Sequence, residues 1–351
     1  MSSPDLLQLQ QKIWQGTVPL EIRLSASECR TYDQSDPYLI QIPRLTYVPL
    51  LLTRLHAFFT SSLIDPSVPA SAGWLSYEDV PLKWHYPIGL LWDLYSGREA
   101  AYYSGGRLPK KPKAKRSAIP GDAAGEEEVE KSGGDSEESD PGSSENKVED
   151  GPWKLVLHFT EWPAEYLARL EPLETVLEDA FKNGVKEASF IRHGSGKVVM
   201  GLGYEDSKQL WEAVKEHDLS RYNKINTKLL SPRGIPLRHI PLKVYLPTNI
   251  PSPSTTADPI PEEPSMASPG HLKVVQSLIP PTLSPSSRHP QTLGTAMHEL
   301  LPTLFPSRRS PILALPVLHG AVVPLAAVLE ELARVGAYAD GFLHIVVVMM
   351  G

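Results

Sequence analysis

The residues able to do chemistry are few, and none of them forms a known catalytic pattern. The single cysteine, Cys29, lies in a polar segment with no histidine beside it, so nothing nearby would activate its thiol. Lys83-Trp84-His85 offers a base, but its alternation favours packing over acid–base catalysis. Gly194-Ser195-Gly196-Lys197 lacks the eight-residue frame of a phosphate-binding loop and predicts a turn. Because the eleven histidines also show no metal-ligand spacing, we expect neither an enzyme nor a metal or cofactor site.

Length and composition predict a soluble protein of two or three domains. The chain has 351 residues, of which 41% are hydrophobic, enough for substantial cores, and its 35 prolines indicate long irregular segments. One cysteine excludes an internal disulfide and fits a reducing compartment, so we expect a cytoplasmic location. Residues 1–11 show no signal-peptide pattern, and the apolar run over 342–350 is too short to span a bilayer.

The net charge of −7 is concentrated in one segment. Residues 117–150 contain twelve acidic residues and two lysines, a local charge of −10, so the rest of the chain is close to +3. This near-neutral remainder permits a role at a membrane surface. No stripe of basic residues interleaved with aromatics is present, so we expect no nucleic-acid partner.

Hydrophobic periodicity over residues 1–162 predicts a helix over 1–14 followed by a small mixed domain over 15–162. The predicted elements are, in order, the amino-terminal helix, strands over 18–24 and 38–42, a helix over 48–59, a strand through Leu82, Trp84 and Tyr86, a short helix after Pro87, and a strand over 153–159. Hairpin, helix, strand, short helix and strand is the order of a ubiquitin-like β-grasp domain.

Two segments have the composition of disordered insertions. Residues 104–152 begin with a basic cluster and continue as a Gly-, Ser- and acid-rich run with too few apolar residues to form a core. The basic cluster fits either contact with an anionic partner or an ordinary solvated linker. Residues 247–290 are dense in proline and serine, so we expect them to be a second disordered insertion.

The remaining chain predicts a helix-rich domain over 163–233 and a second β-grasp domain over 234–351. Apolar residues recur at helical spacing from Leu167 onward, and the final domain repeats the order of elements found in the first. The predicted fold class is therefore α+β, with two ubiquitin-like domains flanking a helix-rich domain and two disordered insertions.

The run Pro-Leu-Lys-Trp-His-Tyr-Pro-Ile-Gly-Leu-Leu-Trp-Asp-Leu over residues 81–94 closely resembles the signature of the autophagy protein 5 family. Shorter matches are spread along the chain outside the two insertions, and residues 307–324 fit the family poorly. The matching segments include Ile13-Trp14-Gln15-Gly16, Pro43-Arg44, Val185-Lys186-Glu187-Ala188, Thr292-Leu293-Gly294, His319-Gly320 and Phe342-Leu343-His344-Ile345.

The resemblance implies that a lysine accepts a ubiquitin-like modifier, autophagy protein 12, through an isopeptide bond. The family places this lysine in a helix of the middle domain, in a Lys-Glu-Ala or Lys-Gln-Ala context. That position corresponds here to Lys186, and Lys182, one helical turn earlier, is the main competitor. Without the resemblance, an ordinary solvated lysine would be the better interpretation.

The resemblance also implies partners. The family binds the helix of a coiled-coil protein, autophagy protein 16, and Trp14 and Gly16 match the family near that surface. Joined to the modifier and bound to this helix, a family member is a non-catalytic part of an E3-like complex that works with the autophagy conjugating enzymes. It promotes lipidation of a second ubiquitin-like protein, peripherally on the phagophore membrane. The alternative is an interaction module with tandem ubiquitin-like domains that is never conjugated.

Overall fold

The structure is a computed structural model that describes six stretches of the chain: residues 3–30, 35–96, 151–230, 236–247, 272–284 and 289–350. All of these stretches belong to one compact unit. Most of the two predicted insertions, residues 104–150 and 248–271, lies outside the described residues. Within the described stretches, no helix combines the length and apolar character needed to cross a membrane.

The first domain is a five-stranded sheet with the strand order β2-β1-β5-β3-β4. Strands β1 and β5 run parallel at its centre, and the other neighbouring pairs are antiparallel. The elements are α1 (Ser3–Gln15), β1 (Thr17–Leu24), β2 (Tyr38–Pro43), α2 (Pro49–Phe59), β3 (Trp74–Tyr77), β4 (Val80–Pro81), α3 (Ile88–Tyr95) and β5 (Trp153–His158). The predicted β-grasp order is therefore confirmed, with the strand after α2 at Trp74–Tyr77, earlier in the chain than predicted.

The strand predicted through Leu82, Trp84 and Tyr86 is wrong. Pairing of β4 with β3 ends at Pro81, one further backbone hydrogen bond runs from the Leu82 N–H to Leu75 O (2.9 Å), and a turn follows. Leu82 and Trp84 are nevertheless buried, because both side chains point inward from this irregular segment. The alternating burial that predicted a strand is thus real, but it belongs to a turn. Pro87 directly precedes α3, as predicted.

The described part of the helix-rich domain, residues 163–230, forms four helices. They are α4 (Leu173–His193), α5 (Lys197–Met200), α6 (Tyr204–Lys215) and α7 (Leu219–Leu230). The first helix begins later than the spacing from Leu167 suggested, because the chain from 159 to 172 is irregular although Leu167 and Leu170 are buried. The predicted turn is confirmed: Gly194 ends α4 with φ +70°, a conformation that favours glycine.

The second domain repeats the sheet of the first, with the strand order β7-β6-β10-β8-β9. Its central strands β6 and β10 are parallel, as β1 and β5 are in the first domain. The elements are β6 (Leu242–Pro247), β7 (Leu272–Gln276), α8 (Leu293–Leu300), β8 (Ala314–Leu318), β9 (Ala321–Val322), α9 (Leu329–Gly336) and β10 (Leu343–Met349). The predicted second β-grasp domain is confirmed.

Strand β7 corrects the predicted insertion over 247–290, which is too long. Residues Leu272–Gln276 pair antiparallel with β6 and form an edge of the sheet. The prediction averaged composition over the whole segment, and the surrounding prolines and serines obscured this short run containing Val274 and Val275.

One hydrophobic cluster extends through all three regions. It includes Leu52 and Ile88 of the first domain, Trp211 of the helical domain, and Tyr245 and Ile345 of the second, each at most 2% exposed. The domains therefore share a core, although each has the elements of a separate fold.

The buried carboxylate of Glu28 fixes the end of β5. Glu28 follows β1 and is 6% exposed. Its oxygens accept hydrogen bonds from the backbone N–H groups of Phe159 (2.8 Å) and Thr160 (3.1 Å), and from the Thr160 hydroxyl (2.7 Å). One side chain thus satisfies three donors where the chain leaves the sheet towards the helical domain.

Replacing Glu28 with alanine should lower the free energy of unfolding by about 2–4 kcal/mol, because three donors lose their acceptor. Glu28→Gln retains one acceptor oxygen and should lose about half as much. Urea unfolding monitored by tryptophan fluorescence measures both variants. Glu165→Ala, at an exposed site, is the control and should change stability by less than about 0.5 kcal/mol. A Glu28→Ala variant as stable as this control would contradict the assigned role.

Candidate functional site: an exposed lysine and an apolar groove

Helix α4 presents Lys186 to solvent. Apolar side chains recur along one face of the helix at three- and four-residue spacing and are buried; they are Leu177, Phe181, Val185 and Ala188. Lys186 lies outside this stripe and is exposed, and Phe190, one turn later, is also exposed at 57%. The amphipathic pattern of α4 therefore positions the predicted acceptor amine on the surface.

The two candidate lysines differ in their surroundings. The Lys182 ammonium lies 2.6 Å from a Glu178 carboxylate oxygen, in an ion pair between successive turns. Lys186 makes no ion pair with any residue that the structure describes. Its amine is free to turn towards an incoming electrophile, whereas the amine of Lys182 must first leave Glu178.

Glu187, the residue after Lys186, connects α4 to the second domain. Its two carboxylate oxygens lie 3.0 Å from Lys243 Nζ on β6 and 3.0 Å from Gln276 Nε2 on β7. The sequence predicted no role for Glu187. Its partners are 56 and 89 positions away, and no local pattern signals such distant contacts.

A groove of about 640 Å³ lies between α1 and α7, beside the first sheet. Leu7 and Trp14 of α1, Pro43 at the end of β2, and Leu219 and Lys224 of α7 contribute to its walls. Leu7 is 56% exposed, and Lys224 is exposed as well. The remaining lining residues are polar; they are Gln11, Gln15, Thr17, His217, Ser220 and Asn223. Apolar contacts, hydrogen-bonding groups and a cation together suit an amphipathic helix that carries acidic residues.

Trp14 forms the floor of this groove and is only 5% exposed. Its ring packs on those of Tyr222 and His217, with centroids 4.9 and 5.1 Å away, and its carbonyl is hydrogen-bonded to His217 Nε2. Trp14 therefore packs in the core and also lines the groove, and its predicted role in partner binding stays a prediction.

Gly16 is not one of the residues lining the groove. It lies at the junction of α1 and β1, where a Cβ atom would be 3.0 Å from Arg44 Cδ and 3.2 Å from the carbonyl oxygen of Ile13. The structure therefore places Trp14 at the groove, and gives Gly16 a packing role beside it.

Several other family-matching residues meet at a buried junction between the two β-grasp domains. Arg44 Nη2 donates to Gly89 O (2.9 Å) and pairs with Asp93 on α3. The Arg44 and Asp93 side chains are 11% and 3% exposed. Gly320 of the second domain lies against the guanidinium, since a Cβ there would be 3.2 Å from Arg44 Nη1. The matches at Pro43-Arg44, Asp93 and His319-Gly320 thus form one structural contact.

The electrostatics of this junction follow from burial. Desolvation raises the pKa of Asp93, and Arg44 and the Gly320 N–H counteract this only in part. Burial lowers the pKa of His319 to about 3, so this ring is neutral near pH 7, and its Nε2 is hydrogen-bonded to Gly336 O at 2.9 Å. The junction contains one buried ion pair and a neutral histidine, an arrangement that holds domains together.

Comparison with known proteins agrees with this architecture. Three family models match the chain: "Autophagy protein ATG5, UblA domain" over residues 13–159, the "alpha-helical bundle region" of the same protein over 174–232, and its "UblB domain" over 239–347. Autophagy protein 5 of Phaeosphaeria nodorum is 47% identical over 352 residues, covering 100% of both chains. Autophagy protein 5 of Coccidioides immitis is 47% identical over 367 residues, covering 100% of this chain and 99% of the other.

A solved structure shows the same fold. The crystal structure of Kluyveromyces marxianus Atg5 superposes with a TM-score of 0.65, covering 97% of this chain and 99% of that one, at 17% sequence identity. At this identity the likeness concerns the fold alone.

Two ubiquitin-like domains joined through a helical bundle define a scaffold of tandem ubiquitin-like domains. The full-length identity of about 45% to curated relatives specifies which scaffold this is. The chain belongs to the autophagy protein 5 family, whose members are named as proteins of autophagy and not as enzymes.

Proposed function

We propose that this chain is a conjugation acceptor, joined through Lys186 to the ubiquitin-like modifier autophagy protein 12. The observation that supports this proposal most strongly is the placement of Lys186, which is exposed on a rigid helix and has no ion-pair partner among the described residues. A rigid helix holds a nucleophile in one geometry better than a loop does.

The reaction is acyl transfer from a thioester to an amine. The Lys186 ammonium releases a proton, and its Nζ attacks the carboxyl-terminal carbonyl carbon of the modifier, held as a thioester on the cysteine of a conjugating enzyme. The C–N bond forms, the C–S bond breaks, and the enzyme's sulfur leaves as a thiol. This chain supplies the nucleophile, and the catalytic residues belong to the conjugating enzyme.

The groove beside Trp14 is the proposed site for the helix of the coiled-coil partner, autophagy protein 16. The exposed Leu7 and the cationic Lys224 support an amphipathic helix with acidic residues as the ligand. Joined to the modifier and bound to this helix, the chain would be the non-catalytic part of an E3-like complex. That complex is proposed to promote lipidation of a second ubiquitin-like protein during autophagosome formation, in the cytoplasm and peripherally on the phagophore membrane.

Co-expression of the chain with the modifier and its activating and conjugating enzymes tests the proposal. The expected result is a band shifted by the mass of the modifier that persists under reducing, denaturing conditions, as an isopeptide bond does. Without any such band, the non-conjugated interaction module becomes the better description of the chain.

The groove assignment makes its own prediction. Leu7→Asp should weaken binding of a peptide from the partner helix about tenfold or more, because a charge replaces an exposed apolar contact. Trp14→Asp should weaken it further, and circular dichroism must show that this variant still folds, since Trp14 is buried. Isothermal titration calorimetry measures both.

Leu39→Asp is the matched control for the groove. Leu39 is 65% exposed on edge strand β2 and is not part of the groove lining. Its replacement should leave the dissociation constant unchanged. If Leu7→Asp and folded Trp14→Asp bind as tightly as Leu39→Asp does, the partner helix binds elsewhere.

A further inference from the structure

We propose that Glu187 is a positioning residue for the acceptor lysine, acting through Lys243 of the second ubiquitin-like domain. This inference rests on the proposed function of Lys186. The residues concerned lie in the acceptor segment, defined here as residues 184–192 of α4, and in the clamp, defined as β6 with the loop 338–342.

The ion pair between Glu187 and Lys243 is fixed from both sides. One Glu187 oxygen is 3.0 Å from Lys243 Nζ and the other is 3.0 Å from Gln276 Nε2, so both oxygens of this carboxylate, whose side chain is 47% exposed, contact the second domain. The Lys243 ammonium also lies over the Phe342 ring, 3.8 Å from its centroid, and this side chain is only 19% exposed. Lys243 therefore has a second contact within its own domain, besides the one to Glu187.

The loop 338–342 contacts the same segment on its inner face. A Cβ atom at Gly184 would lie 3.2 Å from Asp340 Cβ, and one at Gly341 would lie 3.1 Å from Ala188 Cβ, so helix and loop are in close contact. Arg192 Nη2 donates to Gly341 O at 3.2 Å. Glycine at both positions permits this approach, and at Gly341 it also fits the φ of +88°.

Asp340 gives the loop its fixed shape. Its carboxylate accepts from the Phe342 N–H at 3.0 Å and contacts His344 Nε2 at 2.9 Å, while His344 Nδ1 is hydrogen-bonded to the Tyr245 hydroxyl at 2.7 Å. Tyr245 and His344 lie on β6 and β10, so the loop is anchored to the centre of the second sheet. The clamp is therefore a rigid part of the second domain.

Lys186 lies between Gly184 and Glu187, the first two clamped positions. A shift of the clamp therefore moves the Lys186 backbone, and with it the origin of the side chain that must reach the thioester. A displacement near 1 Å at a reacting group reduces a rate by up to about 100-fold. The second ubiquitin-like domain thus determines where the nucleophile of the helical domain is held.

Charge reversal and charge exchange test this inference in the full chain with the modifier and its enzymes. Glu187→Lys replaces the ion pair with two like charges and removes both hydrogen bonds to the second domain, so the conjugation rate at saturating conjugating enzyme should fall by about 10- to 100-fold. The concentration of enzyme needed for half-maximal rate should change little. Combining Glu187→Lys with Lys243→Glu restores the attraction and should recover most of the rate. Glu187→Gln retains one acceptor oxygen and loses the charge, so its rate should fall between those of wild type and Glu187→Lys.

Asp179→Lys is the matched control, because it makes the same charge change at an exposed site of the same helix. It should conjugate like wild type. Folded Glu187→Lys that reacts at the wild-type rate overturns the inference. So does a charge-exchanged double variant that folds but stays slow, because Glu187 would then act on a partner protein directly. A wild-type chain that forms no adduct overturns the proposed function itself, which distinguishes the two failures.

Discussion

Lys186→Arg is expected to abolish the covalent adduct. Arginine retains the length and charge of the side chain, but its guanidinium stays protonated and does not attack a thioester. Since Lys186 is exposed and its neighbours Val185 and Ala188 provide the packing of the helix, fold and stability should not change. Immunoblots of wild type and variant, each co-expressed with the modifier and its enzymes, measure the result.

Lys182→Arg is the matched control for this prediction and should conjugate like wild type, because Lys182 is paired with Glu178. A shifted band in Lys186→Arg would move the acceptor elsewhere, and peptide mapping by mass spectrometry would examine Lys182 first. A shift in both single variants that disappears in the double variant would show that the two lysines are interchangeable.

The second large effect is expected at the buried junction, where Arg44→Ala should lower the free energy of unfolding by about 3–5 kcal/mol. The substitution leaves the Asp93 carboxylate, only 3% exposed, without its guanidinium partner. Chemical unfolding at pH 7 measures the loss. Arg30→Ala, at an exposed site, is the control and should change stability by less than about 0.5 kcal/mol.

The loss at Arg44 should also depend on pH. Burial already raises the pKa of Asp93 and Arg44 counteracts this, so removing Arg44 should raise the pKa further. A carboxyl group with a higher pKa in the folded than in the unfolded state destabilises the fold while it is ionised, and this cost is lost as the pH falls through the folded-state pKa. Arg44→Ala should therefore be less destabilised at about pH 5 than at pH 7. A loss that is small at both pH values would show that the pair contributes little.

The repeated architecture was predictable because the strands and helices of each β-grasp domain have local hydrophobic patterns in the sequence. Alternating apolar residues identified β1 and β5, and helical spacing identified α2 and most of α4. The predictions were wrong where the pattern of apolar residues does not match the secondary structure. Leu82 and Trp84 alternate in a turn, and β7 was hidden in a segment whose composition is dominated by proline and serine.

The site was predictable only in part, for a different reason. Exposure of Lys186 follows from the amphipathic pattern of its own helix. The contacts of Glu187 with Lys243 and Gln276, and of Arg44 with Asp93 and Gly320, depend on how whole domains pack. Such contacts depend on tertiary structure, and the local sequence around each residue does not predict them.

The shared core has a consequence for genetics. Because one hydrophobic cluster runs from Trp14 to Val347, a destabilising substitution in any of the three regions reduces the amount of folded chain everywhere. A screen for cells that lack the adduct would recover substitutions along the whole sequence, without clustering near Lys186. The ratio of adduct to folded protein would distinguish the two kinds of substitution. It falls for a substitution that impairs the acceptor surface, and it stays unchanged for one that only lowers the amount of folded protein.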